Sequence, residues 1–245
     1  MVLGNIAGFG CSFTFGDEFP DANLLDYIPS KHTWINQLNK KANVTNYSIP
    51  GASCSQILYQ ILSTDFSNTD AIFVMWSFND RLTLYKDNLP LTITPNNTVM
   101  YNKNSKVKKL MEKFFDKGTI NDMRNIFESL VIEDAFIYSE YFKNILIAQQ
   151  YLSLIKKPFY FTTTKNYFAI YNNIADKINR YQHDTHHLYE NIDKTKFFLP
   201  ENLGFVQWAY KNKYETFPDN HLKEKAHIDF AKLFLEWINS DMEKK

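Results

Sequence analysis

"GFGCSFTFGDE", Gly8 to Glu18, sets three glycines around a cysteine and a serine, directly after the apolar run Val2 to Phe9. Residue chemistry alone allows it three uses: a loop that cradles phosphate, a thiol site at Cys11, or a turn presenting Ser12 as a nucleophile. Gly8 and Gly10 stand where the first two glycines of a G-x-G-x-x-G dinucleotide loop would stand. Phe13 takes the place of the third, and its ring would block the close helix-to-strand approach which that glycine permits. No acidic residue ends the next apolar run to hold a ribose. Those two departures exclude the nucleotide loop. Ser12 falls just past a predicted strand, at the edge where open α/β sheets bind ligands, although a serine there also serves commonly as a helix N-cap.

Further along the chain, short apolar runs bounded by turn residues recur at Val44 to Ser48, Ala71 to Trp76 and Phe159 to Thr163, with a weaker one at Lys196 to Leu199. Helical patterns separate them at His32 to Lys41, Ser53 to Asp65, Ile120 to Ile155 and Tyr167 to Tyr181. This alternation predicts an α/β fold with a parallel sheet of about five strands and crossover helices. Phe230, Leu233, Phe234, Trp237 and Ile238 follow the i, i+3, i+4, i+7, i+8 spacing of one buried face and predict a last helix packed on the sheet. A length of 245 residues suits a single domain, residues 1–245, around one core. Arg81 to Gly118 interrupts the alternation: "KDNLPLTITPNNTVMYNKNSKVKK" is polar, holds two prolines and keeps no period. An irregular insertion or lid facing the substrate is expected there.

Lys+Arg and Asp+Glu both total 27, so no net field draws nucleic acid or an anionic membrane surface, and neither is expected as a partner. The segment "MVLGNIAGFG" has no basic stretch followed by a long apolar one, and no run approaches the roughly 18 apolar residues of a membrane span. A cytoplasmic location is the expectation. Two cysteines, Cys11 and Cys54, do not make a disulfide framework and are expected as reduced thiols. The many Phe and Tyr residues accompany abundant Asn, Lys and Ile, an AT-rich codon bias rather than a stacking surface. The oligomeric state is left open.

Three other segments bear on Ser12. "NYSIPGASCSQI" supplies Gly51 after the second predicted strand, "MWSFNDR" supplies Asn79 after the third, and "FPDNHLKEKAHIDFA" supplies Asp219 and His221 before the last helix. With "GCSFTFGDE", these four blocks in this order resemble the SGNH hydrolases, also called GDSL-like esterases and lipases. The resemblance spans nearly the whole chain and implies a three-layer α/β/α sandwich of the flavodoxin-like kind. It also implies hydrolysis of a carboxylic ester without a metal or organic cofactor. Ser12 matches the family nucleophile, with His221 as its base and Asp219 as the acid that orients the base. The backbone amides of Ser12 and Gly51 and the side-chain amide of Asn79 match the oxyanion hole. These roles agree with elementary chemistry, because a serine hydroxyl needs a base within reach, the base needs an orienting acceptor, and the developing oxyanion needs fixed donors. A small-molecule or carbohydrate ester is the implied substrate, O-acetyl groups on a carbohydrate first among them. "GCSFTFG" with the short "PDNH" block resembles uncharacterised members from bacteriophages and marine bacteria, and a phage-encoded copy could be virion-associated.

Three departures from the family pattern keep two alternatives open, a catalytically inactive binding or structural module and an acyltransferase using the same residues. Cys11 replaces the usual aspartate before the serine, Ser77 stands where the third block usually begins with glycine, and Pro218 stands three residues before His221, where most members carry the acid. Asp219, two before, is expected to take that role because the imidazole needs a tautomer-fixing acceptor; a backbone carbonyl is the alternative. Adjacent residues point in different directions, so Cys11 and Ser12 cannot both face His221, and Cys11 reads as a packing residue. Cys54 would lie near the same sheet edge, where a redox pairing with Cys11 is conceivable. His227 lies on the apolar stripe of the last helix and reads as a packed structural histidine. His183, His186 and His187 have a spacing that could hold zinc on a helix, but without a third-ligand motif they read as a solvated helix end. His32 is expected to cap or pack near the first helix. Asp17, Glu18 and Asp21 read first as a solvated loop and second as a border of the substrate mouth that disfavours anions.

Overall fold

A computed structural model of the chain describes residues 4–24, 26–38, 43–86, 89–93, 118, 122, 125, 134–174 and 182–242. Among them, β1 (Asn5–Phe9) leads into a single helical turn, α1 (Ser12–Phe15), followed by α2 (Trp34–Gln37), β2 (Asn43–Asn46), α3 (Cys54–Ser63) and β3 (Ala71–Trp76). Next come β4 (Leu82–Lys86), β5 (Leu89–Ile93), α4 (Asp134–Leu154), β6 (Phe159–Thr163), α5 (Tyr167–Ile174) and α6 (Gln182–Glu190). The last helices are α7 (Phe205–Lys211) and α8 (Glu224–Met242).

All six residues of β3 are buried, as a parallel strand covered on both faces requires. The strand order is β2-β1-β3-β6, every neighbouring pair is parallel, and Gly8, Phe73 and Tyr160 share one row of the register. Helices flank the sheet: α2 packs with α8, and α3 packs with α4. Trp34 of α2 stacks on Phe234 of α8 at 5.7 Å, and Phe234 meets Phe73 of the sheet edge-on at the same separation. The expected stripe is the packed face of α8, with Phe230, Phe234 and Ile238 buried and Leu233 and Trp237 partly buried against the core.

Among the described residues the parallel sheet has four strands, where about five were expected. Lys196 to Leu199 does not form a strand: Lys194–Lys196 closes a 3-10 turn, and only Phe197 bridges in parallel to Phe161, with the Phe198 amide donating to the Phe161 carbonyl at 2.8 Å. The capping of that turn by Asp193, whose carboxylate accepts from the Thr195 amide at 3.0 Å, uses up residues that would otherwise extend beside β6. In the segment expected to be irregular, β4 and β5 pair as an antiparallel hairpin with Leu82 opposite Ile93, and Thr83 and Thr92 share a hydroxyl contact of 2.8 Å. Its alternating leucines and threonines favour a strand, and Pro90 is tolerated because a two-stranded sheet consists of edges. Residues 94–117 lie outside the described residues, as do 39–42, 126–133 and 175–181, where predicted helices extended. α7 was not foreseen, since seven residues are too short for a periodic signal.

Candidate active site

The parallel order brings the ends of β2, β1 and β3 to one edge, with β1 in the middle. Gly10 lets the chain turn sharply there: a Cβ would sit 2.8 Å from Thr14 Cβ and 3.3 Å from the Met75 carbonyl oxygen. Cys11 is extended, and its carbonyl accepts from the Thr14 and Phe15 amides at 2.9 Å, starting α1 at Ser12. Two further bonds hold the turn: Trp34 Nε1 donates to Thr14 Oγ1 (3.1 Å), and Asn46 Nδ2 donates to the Thr14 carbonyl (2.7 Å). Ser12 is thus a buried residue at the first position of a clamped helical turn.

On one side of Ser12, the ladder continues past β2, with the Ile49 amide donating to the Gly10 carbonyl at 3.1 Å. Ile49 to Ala52 then has the pattern of a type II turn: proline second, Gly51 third at φ +76°, and the Ala52 amide donating back to the Ile49 carbonyl at 3.1 Å. Ser53 caps α3 through the Gln56 amide. On the other side, β3 runs into Ser77 to Arg81, where Asn79 is partly buried.

His221 arrives from the loop before α8. The Asn220 amide donates to the Phe217 carbonyl (3.0 Å), the Phe217 amide donates to the His221 carbonyl (2.7 Å), and Asn220 is left-handed at φ +70°. Pro218, whose fixed φ suits the second position of such a turn, drives Asp219 round so that its carboxylate faces back. Asp219 Oδ2 lies 2.5 Å from His221 Nδ1, while Oδ1 accepts from the His221 amide at 3.2 Å. Partial burial would raise the Asp219 carboxyl, but a hydrogen bond shared with the Glu18 carboxyl and hydrogen bonds from His221 outweigh it and keep the group below the usual carboxylate range.

Ser12 and His221 line one narrow cavity with Phe13, Asp17, Glu18 and His227. Within it, the Phe13 ring lies 4.8 Å from the His221 ring. No hydrogen bond joins the Ser12 hydroxyl to His221 among the described residues: His221 Nε2 is buried without a hydrogen-bond partner and lies 3.6 Å from Asp17 Oδ1. The acidic run is therefore divided. Asp17 and Glu18 face the cavity, and with His221 they place three donor atoms within 4.8 Å of one another, close enough to share a cation. Asp21 instead holds the loop, accepting from Ser30 Oγ (2.6 Å) and the Lys31 amide (3.0 Å). The facing of Asp17 towards His221 had no signal in the spacing, because it depends on how the segment after α1 folds back.

The remaining histidines have separate roles. His32 Nδ1 contacts Glu224 Oε1 at 2.5 Å and ties the start of α2 to α8. His186 pairs with Glu190 on the exposed face of α6, and His187 lies beside Asn191; the His183 side chain is outside the described set. Both cysteines are free and buried, and burial pushes the Cys54 thiol up, well away from a reactive thiolate.

His227 is 2% exposed, accepts from the Trp34 amide through Nδ1 at 3.1 Å, and donates to the Leu222 carbonyl, next to His221. Burial pushes its pKa down to about 3 from an ordinary 6.5. The unfolded chain therefore binds a proton in this range that the folded chain refuses. His227 contributes its full stabilisation above about pH 6.5 and loses it as the pH falls towards about 3, on the order of a few kcal/mol. Thermal unfolding of the native protein and of His227→Gln between pH 8 and pH 3.5 should show the native midpoint falling faster; parallel curves would refute the assignment.

No protein-family model matches the chain, and no curated protein does. Among solved structures, it is similar to a member of the lipolytic protein G-D-S-L family from Veillonella parvula DSM 2008, with 15% identity, 95% of this chain and 96% of the other covered, and a TM-score of 0.45. An acetyl xylan esterase, AlAXEase, is similar at 11% identity, with 95% and 98% covered and a TM-score of 0.45. LAE5, an alpha/beta hydrolase enzyme from the metagenome of Lake Arreo, Spain, is similar at 12% identity, with 96% and 94% covered and a TM-score of 0.47.

Proposed function

We propose that the chain is a serine ester hydrolase in which Ser12, His221 and Asp219 form the triad and Ser12, Gly51 and Asn79 supply the oxyanion donors. The observation that carries this is the 2.5 Å contact of Asp219 with Nδ1 of His221, a residue that lines one cavity with Ser12. With its Nδ1 proton held by Asp219, the imidazole presents Nε2 as the base. Ser12 Oγ attacks the ester carbonyl as its proton passes to Nε2, and the new oxyanion is held by the Ser12 and Gly51 amides and the Asn79 side chain. His221 then protonates the leaving alcohol, and water repeats the sequence on the acyl-enzyme. This route uses no metal or organic cofactor. The resemblance of the four blocks favours small acyl esters, with O-acetyl groups on a carbohydrate as the proposed natural substrate.

Incubation with p-nitrophenyl acetate, longer p-nitrophenyl esters and an acetylated polysaccharide, alongside a fluorophosphonate probe, tests this reading. Turnover of the acetate ester, release of acetate from the polysaccharide and labelling at Ser12 are expected. Neither turnover nor labelling would favour the inactive binding module. Acyl transfer to an added sugar in preference to water would favour the transferase, and loss of activity to a chelator would implicate a bound cation.

A further inference from the structure

Both proposed oxyanion loops are irregular backbone, so their donors are only as well placed as the contacts between them. Arg81 lies two residues after Asn79, and its Nη1 donates to Ser77 Oγ at 3.2 Å and to the Ala52 carbonyl at 3.4 Å. The first acceptor belongs to the loop of Asn79, and the second belongs to the turn of Gly51. The guanidinium also covers the Phe78 ring at 4.8 Å, while Lys165 Nζ approaches that ring at 5.3 Å. Phe78 in turn meets Phe13, the neighbour of Ser12, edge-on at 6.1 Å.

We propose that Arg81 is a positioning residue, whose guanidinium ties the Gly51 turn to the Asn79 loop and fixes the spacing of the two oxyanion donors; this rests on the esterase reading above. The two hydrogens of the one Nη1 amino group can serve both acceptors while the rest of the guanidinium covers the Phe78 ring, a placement that a lysine ammonium, a compact point charge on a flexible stem, does not reproduce. Other stitches between the same segments, Ser53 Oγ to Thr83 Oγ1 at 2.6 Å and the Cys54 thiol to the Ser77 carbonyl at 3.6 Å, keep the fold in place when Arg81 is removed. Precision at the donors is what its loss should cost.

Arg81→Ala and Arg81→Lys should each lower kcat on p-nitrophenyl acetate by about 10- to 100-fold, the scale of a misplacement near 1 Å, with KM changed little. Millimolar guanidinium chloride should restore part of the Arg81→Ala rate and leave Arg81→Lys and Asn79→Ala unrescued. Amide hydrogen exchange should rise together at residues 51–53 and 77–80 in Arg81→Ala. An unchanged kcat in both variants, or a raised KM at constant kcat, would overturn the positioning role while the wild type still turns over ester. A wild type that fails to turn over ester or to label at Ser12 instead overturns the esterase reading, and the exchange data then report on the tether separately.

Discussion

Ser12→Ala is expected to lower ester turnover by about 10⁴- to 10⁶-fold, the scale at which removal of a triad nucleophile leaves only binding and oxyanion stabilisation. The loss should be this large because the chemistry has no adjacent substitute. Cys11 is buried in the hydrophobic core at the N-cap of α1. Cys11→Ala should therefore keep turnover within several-fold of wild type, and fluorophosphonate labelling should disappear only from the Ser12 variant. Stopped assays with p-nitrophenyl acetate, combined with mass spectrometry of the labelled peptide, read both outcomes. Activity that survives Ser12→Ala and vanishes in Cys11→Ala would transfer the nucleophile to the thiol.

The second large effect is expected at Asn79. Two of the three proposed oxyanion donors are backbone amides that substitution cannot remove, whereas the third is a side chain. Asn79→Ala should lower kcat by about 100- to 1000-fold with little change in KM, because a donor aimed at the oxyanion acts mainly in the transition state. Ser77 is held by the Cys54 thiol and by Arg81 without the Asn79 side chain, so the loop should hold its course in the variant. A rise in KM at constant kcat would make Asn79 a substrate contact instead.

Much of the framework was legible from local chemistry. The uninterrupted run Ala71 to Trp76 and the five residues Phe159 to Thr163 became β3 and β6 with the expected bounds. Ser53, where the helical pattern begins, caps α3. Other bounds moved by a few residues where capping or ladder geometry intervened, as at β2, whose pairing with β1 outlasts its strand through Tyr47 and Ile49. The fifth strand shrank to one bridge because the 3-10 turn engages the Lys196 and Phe197 amides with the Asp193 and Lys194 carbonyls, which leaves the Phe198 amide to reach Phe161.

Within the candidate site, the resemblance of the four blocks named Ser12, Gly51, Asn79, Asp219 and His221, after consecutive predicted strands and before the last helix. Hydrophobic periodicity and turn residues act over a few positions, so they suffice to locate the strands along the chain and to mark their ends, and not to set their order in the sheet. They say nothing about which side chains from distant loops meet. The folding of Gly8 to Glu18 over the His221 loop puts Asp17 3.6 Å from His221 Nε2, the Trp34 amide reaches His227 of the last helix, and Arg81 reaches across to Ala52. Each contact joins residues separated along the chain but brought to a shared cavity or sheet edge by parallel pairing. "GFGCSFTFGDE" therefore marks a strand-to-turn junction from its own residues, while the partners of its serine and acids depend on long-range packing.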